Sequence, residues 1–302
     1  MRQLARHTID IQAAPSFQTM IQIAPDMSRV HELKNENTSE VLTFLSVRPV
    51  HTVVMTSFIN DNGIESDLNR GVYYGYRGRK GELEGVALIG HSTLVEARSD
   101  ASLRALAFQA RNAATPLHLV MSSGDDATRF WNYMTDGLKT PRLTCTEALF
   151  EISFPFAVRR LHHKLEKATM AWLIPVAEAQ AEVAFIECGV DPMERDREGF
   201  LKRVARRIEQ GRVFVVTDGE KLVFKADIIA ETANTIYLEG IYVSPEYRGK
   251  GIGTDCLAAL SLELMTRVEN ICMLSNVEFK SAHRSFMKAG YRNTDHCTTL
   301  FA

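Results

Sequence analysis

Between the apolar segments IYLEGIYV and TDCLAALSLELMTRV the chain reads SPEYRGKGIG, in which Arg248 and Lys250 alternate with Gly249, Gly251 and Gly253. Glycine costs roughly 1 kcal/mol relative to alanine inside regular structure. A run of three so closely spaced implies that the backbone itself must approach something. Glycines between a strand and a helix free the amides of Gly249, Lys250, Gly251, Ile252, Gly253 and Thr254 to point into one concavity. That concavity lies at a helix amino terminus, where unpaired N–H donors and the helix dipole favour an anion. With two cationic side chains beside it, the natural ligand is a pyrophosphate.

The same spacing excludes two common phosphate binders. No GKS or GKT follows, so this is not a P-loop, and the upstream order of helix, hairpin and strand is not the βαβ unit of a dinucleotide fingerprint. The five cysteines, Cys145, Cys188, Cys256, Cys272 and Cys297, are scattered without a CxxC pair. Neither a zinc site nor a disulfide framework is expected, and reduced core thiols in a cytoplasmic protein are the default. His162 and His163 have no partner at metal-ligand spacing.

The elements that must position this loop follow from periodicity. In the second half, MERDREGFLKRVARRIEQG is an amphipathic helix with Phe200, Leu201, Val204 and Ile208 on one face. RVFVVTDGEKLVFKADIIAET is a hairpin turning at Asp218-Gly219, and IYLEGIYV is the strand before the glycine loop. A helix, the strand NICMLSN, the helix KSAHRSFMKAG and the strand YRNTDHCTTLF complete the half. The first half repeats that order. A helix from Thr38 to about Leu45 precedes a hairpin around Gly78–Gly81, the strand STLVEA, a helix from Ser99 to Arg111, the strand LHLVM, the helix DATRFWNYM and the strand RLTCTEALFEI. Residues 1 to about 35 read as an arm. The expectation is an α+β chain of two related units, 1–154 and 155–302, meeting near Pro155.

The loop resembles the signature of the GNAT superfamily of acyl-CoA N-acyltransferases. Its Arg/Gln-x-x-Gly-x-Gly/Ala pattern after a strand ending Val-x-Pro corresponds to Val243, Ser244, Pro245, Arg248, Gly251 and Gly253. A second block of the family matches Ala282, Phe286, Gly290 and Tyr291, and Asn276 stands where the family often has an asparagine at the end of its fifth strand. The resemblance covers roughly residues 155–302. It implies a mixed, mostly antiparallel sheet flanked by helices in each unit, and acetyl-CoA or another acyl-CoA as co-substrate with no metal. Main-chain groups of Ile241 and Val243 would meet the pantetheine arm, with Tyr242 between them, and a main-chain N–H there would polarise the thioester carbonyl. The loop amides would hold the pyrophosphate, and Asn276 and the helix carrying Phe286 would line the far side. A neutral amine would attack the thioester directly.

Glu239 is the best general-base candidate, because family members often carry a glutamate on this strand. Alternation alone leaves open whether Glu239 faces inward, or Leu238, Gly240 and Tyr242 instead. Phe286 departs from the tyrosine that many members use to protonate the leaving thiolate. Tyr242 and Tyr291 are the candidate substitutes, and bulk water is the alternative. A non-catalytic acyl-CoA sensor is the competing reading. Where the second half has RGKGIGT the first has RSDASLRA, with no glycine and with Asp100 to repel a phosphate, so the first unit is a degenerate copy.

Composition narrows the partners. A net charge of −2 offers no global field for nucleic acid or anionic membrane. The opening MRQLARHTIDIQ lacks the apolar core of a secretory signal. The acceptor is a small-molecule or protein amine, with Glu182, Glu187 and Asp191 hinting at a cationic one, and the chain is expected to be a monomer or homodimer.

Overall fold

A computed structural model describes residues 24–153 and 164–302. Residues 1–23 of the arm, the boundary at Pro155 and the pair His162 and His163 lie outside the described residues. The first half runs β1 (Val30–Glu32), α1 (Thr38–Leu45), α2 (Val53–Asn62), β2 (Gly71–Arg77), β3 (Leu83–Gly90), β4 (Ser92–Ala97), α3 (Asp100–Arg111), β5 (Leu119–Ser123), α4 (Asp126–Thr135) and β6 (Leu143–Ile152). The second runs β7 (Leu165–Lys167), α5 (Leu173–Cys188), α6 (Pro192–Arg195), α7 (Arg197–Glu209), β8 (Val213–Asp218), β9 (Lys221–Glu231), β10 (Thr235–Val243), α8 (Ile252–Leu264), β11 (Asn270–Asn276), α9 (Lys280–Lys288) and β12 (Arg292–Phe301). The repeated order read from the sequence is present, with α2 and α5 as additional helices and β1 and β7 as additional strands, while the helix read over MERDREGFLKRVARRIEQG is broken at Asp196 into α6 and α7.

Among the described residues, all twelve strands join one mixed sheet in the order β1-β2-β3-β4-β5-β12-β6-β11-β10-β9-β8-β7. Its two parallel pairs, β4–β5 and β10–β11, occupy equivalent places in the two halves. The centre of the sheet is made by exchange. β6, the last strand of the first half, lies between β11 and β12 of the second, and β12 pairs in turn with β5 of the first. Each half therefore completes the other's sheet.

Helices cover both faces. Cys256, Leu257, Leu260 and Leu264 of α8 and Phe286 of α9 pack on Phe224, Ala226, Ile236 and Leu238. On the opposite face Val176 and Ala177 of α5 and Phe200, Val204 and Ile208 of α7 cover Val213 and Val215. Each such fully buried aliphatic or aromatic side chain contributes roughly 1.5–3 kcal/mol against conformational entropy. The halves are also tied by α2, where Asp61 takes a bidentate pair from Arg212 (2.7 and 2.9 Å) and Ser57 Oγ accepts from Glu231 N–H.

Candidate functional site

After β10 the chain makes a short helical turn at Pro245–Tyr247, and Arg248 is extended. Gly249 and Gly251 then adopt φ of +75° and +84°, the left-handed region in which an L side chain is strained. The third glycine serves a different need. A Cβ at Gly253 would stand 2.9 Å from Val243 Cγ2, so its absence lets α8 close on β10. Gly251 is the N-cap of α8 and supplies no side-chain cap, while the first helical bond runs from Asp255 N–H to Gly251 O. The N–H groups of Ile252, Gly253 and Thr254 are thus without acceptors inside the helix.

These amides open on a cleft of about 690 Å³ that runs between β10 and β11 and is walled by α5, α8 and α9. Arg248 lies at its rim, with Nε donating to Val243 O at 2.7 Å and Nη2 to Glu182 Oε1 at 3.1 Å. Tyr242 donates to the other oxygen of Glu182 at 3.1 Å, and its pKa is raised by burial and then by that carboxylate. Lys250 is not among the cleft-lining residues, and its Nζ sits 5.6 Å from the centre of the Tyr247 ring.

The cleft exists because β10 leaves its neighbours. Its parallel pairing with β11 ends at Tyr237 opposite Cys272. Against β9 the register shifts between Glu239, opposite Asp227, and Tyr242, opposite Lys225. This is a bulge in which Gly240, at φ +60°, and Ile241 have no register partner on either strand. The extra residue resolves the alternation left open by the sequence. Glu239 and Tyr242, three apart, both fall on the α5–α7 face with Lys225 and Asp227, whereas Leu238, Ile241 and Val243 pack toward α8. Glu239 is half-buried and lines the cleft. Desolvation lifts its pKa above the usual carboxylate range, with Arg207 and Lys225 pulling back and Asp227 adding to the rise.

Strand exchange places near Glu239, outside the cleft lining, a carboxylate that the sequence reading did not single out. Glu147, on β6, is opposite Asn276 of β11 and Cys297 of β12. Desolvation pushes it up to about 7 against the hydrogen bond from Thr299, and the charge of Glu239 pushes the same way. Glu187 lines the cleft near the end of α5, where desolvation and then the charges of Glu239 and Glu147 push it up to about 8. Glu182 also lines the cleft, but Asp191 does not: it caps α6, accepting from Met193 N–H at 2.7 Å.

The remaining sequence candidates separate. Ile241, Val243 and Phe286 line the cleft. The Phe286 ring is buried edge-on against Phe150, 5.4 Å between centres. Asn276 is not a lining residue, and its Oδ1 accepts from Glu278 N–H at 2.9 Å, fixing the turn into α9. Tyr291 is fully buried with its hydroxyl 2.8 Å from Ser261 Oγ beneath α8, away from the cleft. Among the described residues no group of three or more His, Cys, Asp or Glu could hold a metal ion, and no helix is long and apolar enough to cross a membrane.

Residues 209–293 match the family described as "Acetyltransferase (GNAT) domain". An acetyltransferase from the GNAT family of Colwellia psychrerythraea is similar over 90% of this chain and 99% of its own, at 12% identity and a TM-score of 0.56. A Drosophila protein known by its crystal structure is similar over 91% of this chain and 98% of its own, at 14% identity and a TM-score of 0.66. A tandem GNAT protein from the clavulanic acid biosynthesis pathway aligns over 90% and 97%, at 11% identity and a TM-score of 0.56. At these identities the likeness establishes the fold, which extends over both halves. No curated protein matches the chain.

Proposed function

We propose that this chain, whose residues 209–293 match the GNAT acetyltransferase domain, transfers an acetyl group from acetyl-CoA to an amine, using the cleft of the 155–302 unit and not its first-half counterpart. Acyl-CoA is the co-substrate of that family, and the observation that carries the reading here is the uncapped amino terminus of α8, bared by Gly249 and Gly251 at one end of the cleft. The amides of residues 249–254 would take the pyrophosphate, with Arg248 at the rim. The pantetheine arm would lie along Ile241 and Val243, bounded on the other side by Phe286, with Asn276 holding the turn that starts α9.

The amine nitrogen attacks the thioester carbonyl carbon, the C–S bond breaks, and the amide product and free coenzyme A result. Glu239 takes the proton from the amine, a task suited to a carboxylate that lines the cleft and whose pKa burial raises above its ordinary range. An unpaired main-chain N–H of the β10 bulge stabilises the developing oxyanion. Tyr242, in the cleft and hydrogen-bonded to Glu182, is the side chain assigned to return a proton to the thiolate.

The test is release of free thiol from acetyl-CoA across a panel of small and peptidyl amines. Amine-dependent release is expected. Tight binding of acetyl-CoA with no turnover on any amine would assign the chain instead as a non-catalytic acyl-CoA sensor.

A further inference from the structure

Lys225 is a lysine with no exposed surface, in the middle of a β-strand whose other residues are mostly apolar. A buried ammonium is costly unless every donor is used. Its Nζ donates to Gln180 Oε1 at 2.6 Å and to the carbonyl oxygen of Gly240 at 2.8 Å, and lies 2.9 Å from Asp227 Oδ1. Asp227, itself buried, takes Arg207 at 3.0 Å. The three contacts of Lys225 come from α5, from β10 and from its own strand, and the β10 contact is the bulge itself.

Gly240 shows how closely this ammonium is built into the bulge. A Cβ there would stand 2.2 Å from Gln180 Oε1 and 2.6 Å from Lys225 Nζ, and the residue's φ is +60°. The trans peptide joining Gly240 to Ile241 is planar, so the carbonyl of one and the N–H of the other point in opposite directions. Holding Gly240 O on the β9 side, under α5, therefore turns Ile241 N–H the other way, where the cleft opens and Ile241 lines it.

We propose that Lys225 is a positioning residue for acyl transfer: its charge-assisted bond to Gly240 O locks the bulge so that Ile241 N–H is aimed at the thioester carbonyl. This rests on the acetyl-CoA reading above. A neutral side chain would leave the bulge peptide free to rotate, and a donor displaced by about 1 Å loses on the order of 100-fold in rate. The lysine touches no substrate, and Gln180 serves as its second acceptor.

The test is Lys225→Met in the full chain, with Lys225→Leu as a second variant should the first fold poorly; in either, Asp227 keeps its pair with Arg207. Two binding readouts and the steady-state kinetics are taken on each. Titration calorimetry with coenzyme A reports the pyrophosphate site, and infrared difference spectroscopy with carbonyl-labelled acetyl-CoA reports polarisation of the thioester. Expected are coenzyme A affinity within about 3-fold of the unaltered chain, loss of the low-frequency shift of the bound carbonyl, and a fall in kcat on the order of 100-fold with KM for acetyl-CoA little changed. Survival of the carbonyl shift in both variants would overturn the assignment of Lys225 and leave the acetyltransferase reading standing. Failure of the unaltered chain to bind acetyl-CoA would remove the functional reading and this inference with it.

Discussion

The two halves run the same course and differ where an acyl carrier would sit. In each, two parallel strands pair over three residues and then part, at Leu94 opposite Met121 in the first half and at Tyr237 opposite Cys272 in the second. Two residues beyond those points stand Glu96 and Glu239, which are thus structural counterparts. Their surroundings have diverged. Glu96 is 2% exposed and taken by Arg48 at 3.3 Å and Arg98 at 3.6 Å, while Glu239 lines an open cleft. The first-half gap is bridged by Ser122 Oγ donating to Val95 O at 2.8 Å. The following helix begins at once, with Ser99 capping α3 through Ser102 N–H and Asp100 occupied by Arg129 and Tyr133. In the second half a glycine loop intervenes and the helix terminus is left uncapped. An anion site in the second half would depend on leaving these donors unpaired; in the first half the equivalent donors are paired.

That contrast can be broken at several points. Gly251→Asp puts a side chain at φ +84° and a negative charge among the amides. Coenzyme A affinity measured by calorimetry should fall by about 100-fold or more, because the carboxylate stands among the donors the pyrophosphate needs and repels it; the left-handed strain of a side chain there costs folding stability roughly 1–2 kcal/mol in addition. Glu239→Gln should lower kcat/KM for the amine by about 100- to 10,000-fold and remove the acidic limb of its pH profile. Because burial raises the Glu239 pKa, that limb in the unaltered chain is expected above the ordinary carboxylate range, with activity rising as the pH passes through it. Glu96→Gln should leave both kinetic constants unchanged and cost about 1–3 kcal/mol in denaturant unfolding, as Arg48 and Arg98 lose a charged acceptor.

Much of the site was legible because its requirements constrain residue type. Positive φ at Gly249 and Gly251 and close packing at Gly253 can hardly be met by anything but glycine, so they left a compositional trace. The bulge left only the single Gly240, and a period of two applied through it gives the wrong parity for residues 239 and 242. Glu147 was hidden for another reason. β6 and β12 read as ordinary strands, and their exchange joins segments about 150 residues apart, which local pattern does not encode. α5 escaped because it is apolar on nearly all sides, with one side on the core and the other on the cleft. The lone Lys225 and Asp227 in LVFKADII were the available signal for the buried network.

Smaller effects sharpen the same contrast. Ser99→Ala should cost about 1 kcal/mol, the usual worth of an N-cap, read as a fall in melting temperature with coenzyme A affinity unaltered. Glu147 is held at about 7 in the folded chain, above its ordinary value near 4.5. The stability it contributes is therefore complete below the ordinary carboxylate pKa and is lost as the pH rises through about 7. Glu147→Gln should flatten that decline and raise the melting temperature at pH 8 by about 2–4 °C.

Calorimetric titration of the full chain with coenzyme A, repeated on Gly251→Asp and Ser99→Ala, decides whether one half alone carries the anion site. One molecule bound per chain, abolished by the first substitution and untouched by the second, is the expected outcome. Two molecules per chain, none at all, or binding that survives Gly251→Asp would contradict it.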